Sequence, residues 1–150
     1  MATLREQVRE FHLAMDVPAD APRPTVIPDA RVRLRAALIA EEFFEIMEAM
    51  FSEDFEDLRR MKSALLRAIS DEPIDVHLVD LADGFADLDY VVEGSRLEFG
   101  IDGAPIAAEV HRANMAKVGG PIAENGKRLK PPGWTPPDIV GELRKQGMTD

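Results

Sequence analysis

The chain has 150 residues, no cysteine and a formal net charge of −10. The missing cysteines exclude disulfides, zinc–thiolate sites and thiol nucleophiles, and the acidic balance argues against a general binder of nucleic-acid polymers, which needs a basic surface. The length suits a single domain, residues 1–150, with a real core; no apolar run approaches the roughly 20 residues of a membrane span, and the N-terminus lacks a secretory apolar core, so a cytoplasmic protein is expected.

Residues 3–15 place Leu4, Val8, Phe11 and Met15 at spacings of 4, 3 and 4, the pattern of an amphipathic helix. Pro18, Pro22, Pro24 and Pro28 then mark an extended connector over 16–28, and its Val17, Val26 and Ile27 predict packing on the body. A long helix follows from Asp29 to about Phe51. Ser52 is a candidate N-cap for a third helix over 53–70, which Asp71-Glu72-Pro73 ends. The fourth helix, from about Asp75 to Phe99, is apolar almost all round, so it is expected to be the most buried. Gly100 ends it. Pro105 is expected at the first position of a fifth helix reaching about Lys117. Gly119-Gly120 closes that helix, residues 119–150 read mostly as loop, and a short helix over about 138–145 finishes the chain. With no repeat and no strand pattern, the fold class is all-α, a bundle of four or five helices. The breadth of apolar surface on 76–99 favours a homodimer.

Two rows of carboxylates interrupt the apolar pattern. Glu41, Glu42, Glu45 and Glu48 lie on the long second helix, where residues three or four apart share a face. Like charges about 4 Å apart repel by about 4 kcal/mol at an effective dielectric near 20. Such a face is tolerated in water, beside basic groups, or around a divalent cation. Asp80, Asp83 and Asp87 form a second row on the fourth helix, although Asp is a mediocre helix former. Two acidic rows make an oxygen-rich donor set of the kind that hard cations such as Mg²⁺ or Mn²⁺ favour. The plainer alternative is a solvated acidic face. A di-iron bundle is disfavoured, because none of His12, His77 and His111 stands three residues after a Glu. Charge is also uneven along the chain. Between His111 and Lys130 stand Arg112, Lys117, Lys127, Arg128 and Lys130 against Glu124 alone, so an acidic body carries one basic segment.

Glu-Glu-x-x-Glu at Glu41, Glu42 and Glu45, followed by an acidic-x-x-Asp pair at Asp80 and Asp83, resembles the all-α nucleoside triphosphate pyrophosphohydrolases. This MazG-like superfamily also contains phosphoribosyl-ATP pyrophosphohydrolases and dimeric dUTPases. The most specific likeness is His111-Arg112-Ala113-Asn114-Met115-Ala116-Lys117 followed by Gly126-Lys127-Arg128-Leu129-Lys130-Pro131-Pro132-Gly133-Trp134-Thr135-Pro136-Pro137-Asp138-Ile139, which is similar to the MazG-like branch. The resemblance spans about residues 28–139, and the pattern is most similar to small bacterial MazG-like dUTPases. It departs from the family in two respects. Asp80 stands where Glu is usual, and a whole helix separates Glu45 from Asp80.

The resemblance implies that a nucleoside triphosphate is converted to its monophosphate and pyrophosphate, with dUTP or dCTP the expected substrate. It implies Mg²⁺, with Mn²⁺ as substitute, held by Glu42, Glu45, Asp80 and Asp83. Glu41 would join Glu42 and Glu45 in catalysis, and Asn114, Lys117, Lys127 and Lys130 would contact nucleotide and phosphates. Phosphoryl transfer of this kind rests on positioning and charge neutralisation rather than on a covalent nucleophile. A phosphoribosyl-ATP pyrophosphohydrolase-like enzyme and a non-catalytic metal- or nucleotide-binding helical protein are the alternatives. Trp134 has two readings, as a platform for a base or as an anchor for its loop on the core.

Overall fold

The computed structural model describes residues 2–51, 56–121 and 129–149. The described residues form six α-helices and no strand: α1 (Leu4–Ala14), α2 (Asp29–Met50), α3 (Glu56–Asp71), α4 (Leu78–Phe99), α5 (Gly103–Met115) and α6 (Ile139–Lys145). The fold class is all-α. The expected N-cap Ser52 lies outside the described residues. Two compact units are present, one from Pro24 to Ala82 and the other combining the chain up to Arg23 with the chain from Asp83 onward. No helix among the described residues is long and apolar enough to cross a membrane.

In the unit from Pro24 to Ala82, α2 packs on α3. The apolar spacing of α2 turns Ala40 and Phe44 inward, and α3 contributes Leu58. Phe44 is the anchor, 2% exposed, and the Phe43 ring meets it edge-on at 5.3 Å between centroids. A polar tie secures the far end. The Arg33 guanidinium on α2 donates to the carbonyl oxygens of Ile69 and Glu72, the latter at 3.0 Å. A helix leaves its last four carbonyls without intrahelical donors, and Arg33 satisfies one of those on α3 and a second just beyond its end.

In the other unit, α1 packs on α5, and α5 on α6. A reciprocal capping box starts α1: Glu6 N donates to Thr3 Oγ1 at 3.3 Å, and Thr3 N to Glu6 Oε2 at 2.7 Å. The connector folds back on α1 through Arg9, which donates to both Asp20 carboxylate oxygens, and through the contact of His12 Nδ1 with Pro18 O at 3.0 Å. Asp16 and Asp20 reach left-handed φ values of 53° and 56°, which Asp tolerates better than most residues. Val26 and Ile27 depart from expectation, since both are exposed.

Gly100, at φ 68°, closes α4 with a Schellman motif, in which Ile101 N donates to Arg96 O at 2.8 Å and Gly100 N to Leu97 O at 3.2 Å. The Asp102 carboxylate then caps α5 by accepting from Ala104 N at 3.0 Å. This cap sets the start of α5 at Gly103, two residues before Pro105, the expected first position. His111, a half-buried histidine, touches Glu10 across the α1–α5 contact at 3.3 Å. Gln146 and Asp102 exchange amide hydrogen bonds of 2.8 and 3.1 Å, which tie the end of α6 to the start of α5.

The largest departure is α4. Its apolar surround predicts the most buried helix, yet none of its residues is buried; Val79 and Tyr90 are each more than 80% exposed, and Phe85, Leu88 and Val91 are exposed as well. Apolarity fixes that a helix needs cover, not that its own chain supplies it.

Charge-assisted hydrogen bonds are worth about 1.5–3 kcal/mol each. Arg33→Met, which keeps the apolar stem, should therefore lower unfolding stability in urea by about 2 kcal/mol. An unchanged midpoint would remove this role for Arg33.

Candidate active site

The acidic candidates on α2 sit in the unit from Pro24 to Ala82. One turn of helix separates Glu41 from Glu45, so the two share a stripe with Glu48, while Glu42 flanks it. Glu41 and Glu48 are half-buried, and Glu42 and Glu45 are exposed. Glu45, Glu48 and Ala49 of α2, together with Arg59 of α3, line an open depression of about 450 Å³. Among the described residues, none of these four glutamates has a hydrogen-bond or ion-pair partner in a side chain. Asp80 lies exposed in the first turn of α4 in the same unit, where the positive end of the helix dipole favours it. Asp83, one turn further along α4 and also exposed, belongs to the other unit.

Fit to a metal ion can be judged from donor chemistry and arrangement. The donors are carboxylate oxygens without competing basic partners, the type that Mg²⁺ prefers. Their arrangement is another matter: among the described residues, no group of three or more His, Asp or Glu side chains stands close enough to hold an ion. Among the described residues of the unit from Pro24 to Ala82, Glu42, Glu45 and Asp80 therefore do not form such a group.

The basic candidates lie in the other unit, and there the structure does bring residues together. Lys117 Nζ donates to Asn114 Oδ1 at 2.8 Å at the end of α5. Trp134 Nε1 donates to Ala113 O at 2.7 Å, using a carbonyl from the last turn of α5. Lys117 and Lys130 both place their ammonium groups over the Trp134 ring, 5.6 and 4.2 Å from its centroid. Lys127 lies outside the described residues. Of the two readings of Trp134, the geometry supports the anchor.

A network that sequence reasoning missed holds this segment on α5. Arg112 forks onto Glu109 with bonds of 2.7 and 2.9 Å and also donates to Pro136 O at 3.1 Å. Glu109 Oε1 accepts from Asp138 N at 2.9 Å. The i, i+3 spacing of Glu109 and Arg112 was a readable signal, but their use of a distant backbone was not. The Arg112 hydrogen bonds, and then the Asp138 amide, push the Glu109 carboxyl down to about 2. Gly120 makes the loop neck. A Cβ there would stand 2.4 Å from Leu129 O, while Leu129 N donates to Pro121 O at 2.7 Å.

Residues 8–114 match the model of the phosphoribosyl-ATP pyrophosphohydrolase family. The chain belongs to this family, and so to the hydrolases that act on acid anhydrides in nucleotides. The match agrees with the superfamily expected from the glutamate motif, but it is to the phosphoribosyl-ATP family and does not single out the dUTPases. A comparison with curated proteins found no match.

Glu109 also carries a pH prediction. Its folded value lies below the ordinary carboxylate value of 4.5, so the folded state binds its proton more weakly than the unfolded chain does. The stabilisation is fully present above about pH 5 and is lost as pH falls toward about 2. Glu109→Gln should lower the melting temperature at pH 6, and the gap from wild type should narrow steadily on acidification. A gap independent of pH would refute the assignment.

Proposed function

We propose that the protein is a Mg²⁺-dependent pyrophosphohydrolase that releases pyrophosphate from phosphoribosyl-ATP or a nucleotide closely like it. The family match over residues 8–114 carries this reading, because it spans α2 with Glu41, Glu42 and Glu45, the start of α4 with Asp80 and Asp83, and Asn114. Glu42, Glu45, Asp80 and Asp83 would hold the Mg²⁺, for which Mn²⁺ could substitute. When bound, the ion would neutralise phosphate charge and acidify a water. Glu41 would accept the proton of the attacking water. Lys117, Lys127 and Lys130 would balance the charge that builds on the departing pyrophosphate, and Asn114 would orient Lys117.

A second reading keeps dUTP or dCTP as substrate. It is favoured by the segment beyond residue 114, where Lys117 and Lys130-Pro131-Pro132-Gly133-Trp134 resemble the MazG-like dUTPases outside the family match.

The assembly we propose is a homodimer. A 22-residue helix with Phe85, Leu88 and Val91 in solvent has the character of an interface, since exposed apolar patches of this extent mark contact surfaces. A second copy, supplying the same apolar face, would cover α4 and bring further carboxylates toward it.

A panel of phosphoribosyl-ATP, all common NTPs and all dNTPs, assayed for pyrophosphate release with Mg²⁺, tests the reaction and the substrate together. Phosphoribosyl-ATP should turn over fastest; a clear preference for dUTP or dCTP would favour the second reading, and no turnover of any nucleotide would leave the non-catalytic binder. Glu45→Gln should cut turnover by about 100-fold or more, the scale of losing one preorganised electrostatic group, with helicity unchanged. Wild-type rates in that variant would remove the site assignment. Sedimentation should give twice the 16.6 kDa chain mass, and Leu88→Glu should shift it to the monomer. A wild-type monomer at micromolar concentration would sink the dimer.

A further inference from the structure

The reaction outlined above gives no part to α3, although this helix separates Glu45 from Asp80 and packs on the helix that carries the glutamate row. Its sequence explains how it sits there. Leu58, 7% exposed, is the residue that α3 buries. The next residue, Arg59, is turned by about 100° around the helix, which carries it out of the buried face and into solvent. There it lines the depression of about 450 Å³ whose other walls are Glu45, Glu48 and Ala49 of α2. Of the residues proposed to hold Mg²⁺, Glu45 lines this space.

The depression holds charge of both signs that stays unpaired. Glu56 lies within about one turn of both Arg59 and Arg60, and it pairs with Arg60 at 2.6 Å. Among the described residues, Arg59 has no hydrogen-bond or ion-pair partner, and Glu45 and Glu48 have no basic one. Carboxylates and a guanidinium closed directly on one another would form an ordinary salt bridge and need no ligand. Set around an open space, they fit a ligand that itself carries both signs. A divalent cation chelated by phosphates is such a ligand, since Mg²⁺ is commonly held by one or two carboxylates together with substrate phosphates. The planar fork of arginine N–H donors matches the outer phosphate oxygens.

We infer that Arg59 is a further substrate-binding residue, which α3 holds beside Glu45 and Glu48 to donate to a phosphate oxygen of a metal-bound triphosphate tail. The inference rests on the proposed reaction for the identity of the ligand, and it gives α3 a role in that site.

The test measures binding of inorganic tripolyphosphate to the full chain by calorimetry in Mg²⁺ buffer, and of Mg²⁺ alone, beside steady-state kinetics on the best nucleotide of the panel. Arg59→Met keeps the apolar stem. It should weaken tripolyphosphate binding by about 10–100-fold, the scale of losing charge-assisted hydrogen bonds, and raise KM in step. Binding of Mg²⁺ alone should not weaken. Arg59→Lys restores the charge without the fork and should recover only part of the loss. Arg67→Met removes the same charge from another exposed position of α3 and should bind like wild type. Wild-type tripolyphosphate affinity in Arg59→Met would overturn the inference. An equal loss in Arg67→Met would also overturn it, by reducing the effect to net charge. Tighter Mg²⁺ binding with unchanged tripolyphosphate binding would overturn it as well, by making Arg59 a counter-ion of the glutamate row. Binding that depends on Arg59 without hydrolysis of any nucleotide would refute the enzyme and keep the receptor, whereas hydrolysis with binding independent of Arg59 would do the reverse.

Discussion

A row of carboxylates that no basic side chain among the described residues neutralises is the constraint on which the proposed chemistry of this protein depends. Glu41, Glu42, Glu45 and Glu48 share two turns of α2, and among the described residues no basic side chain pairs with them. Water can carry that repulsion on an exposed helix, at the scale of a few kcal/mol per close pair. Lys117 and Lys130 lie over the Trp134 indole, and Lys117 also bonds Asn114. The glutamate row keeps its charge available for something outside the chain. That is the property expected of a protein whose substrate is a polyanion and whose proposed cofactor is a cation.

The second theme is incomplete cover. Each compact unit buries a small set of side chains, Ala40, Phe44 and Leu58 in one and Gln7, Met15 and Ala113 in the other. Around them, polar ties do much of the fastening: Arg33 on the end of α3, Arg112 and Glu109 on the C-terminal segment, Gln146 on Asp102. The apolar length of α4 stays outside both sets. An apolar helix left in water is costly in proportion to its exposed area, and the proposed second copy would reduce that cost. The absence of a three-carboxylate group among the described residues of one chain belongs to the same picture, because a partner that covers α4 would also bring its own acidic side chains.

The family match and the C-terminal resemblance divide the chain between them. The match takes the helices through Asn114, and these carry the glutamate and aspartate rows. Substrate choice is a matter of what surrounds that shared apparatus. The segment that meets α5 through Trp134, Arg112 and Glu109 lies almost wholly beyond the match.

The sequence by itself determined the helices. Apolar spacing and the stop at Gly100 act within one or two turns, so residues a few places apart suffice to read them. It determined the glutamate stripe for the same reason. It misplaced the start of α5, where the Asp102 carboxylate outcompeted Pro105 as the signal. Tertiary structure alone decided that α4 is bare, that Trp134 is an anchor with two lysines over its ring, and that Arg33 finishes α3. Those outcomes depend on groups many residues apart, such as Trp134 and Ala113 or Arg33 and Ile69. Periodicity along one helix states that a face must be covered or paired; only tertiary structure decides what covers it.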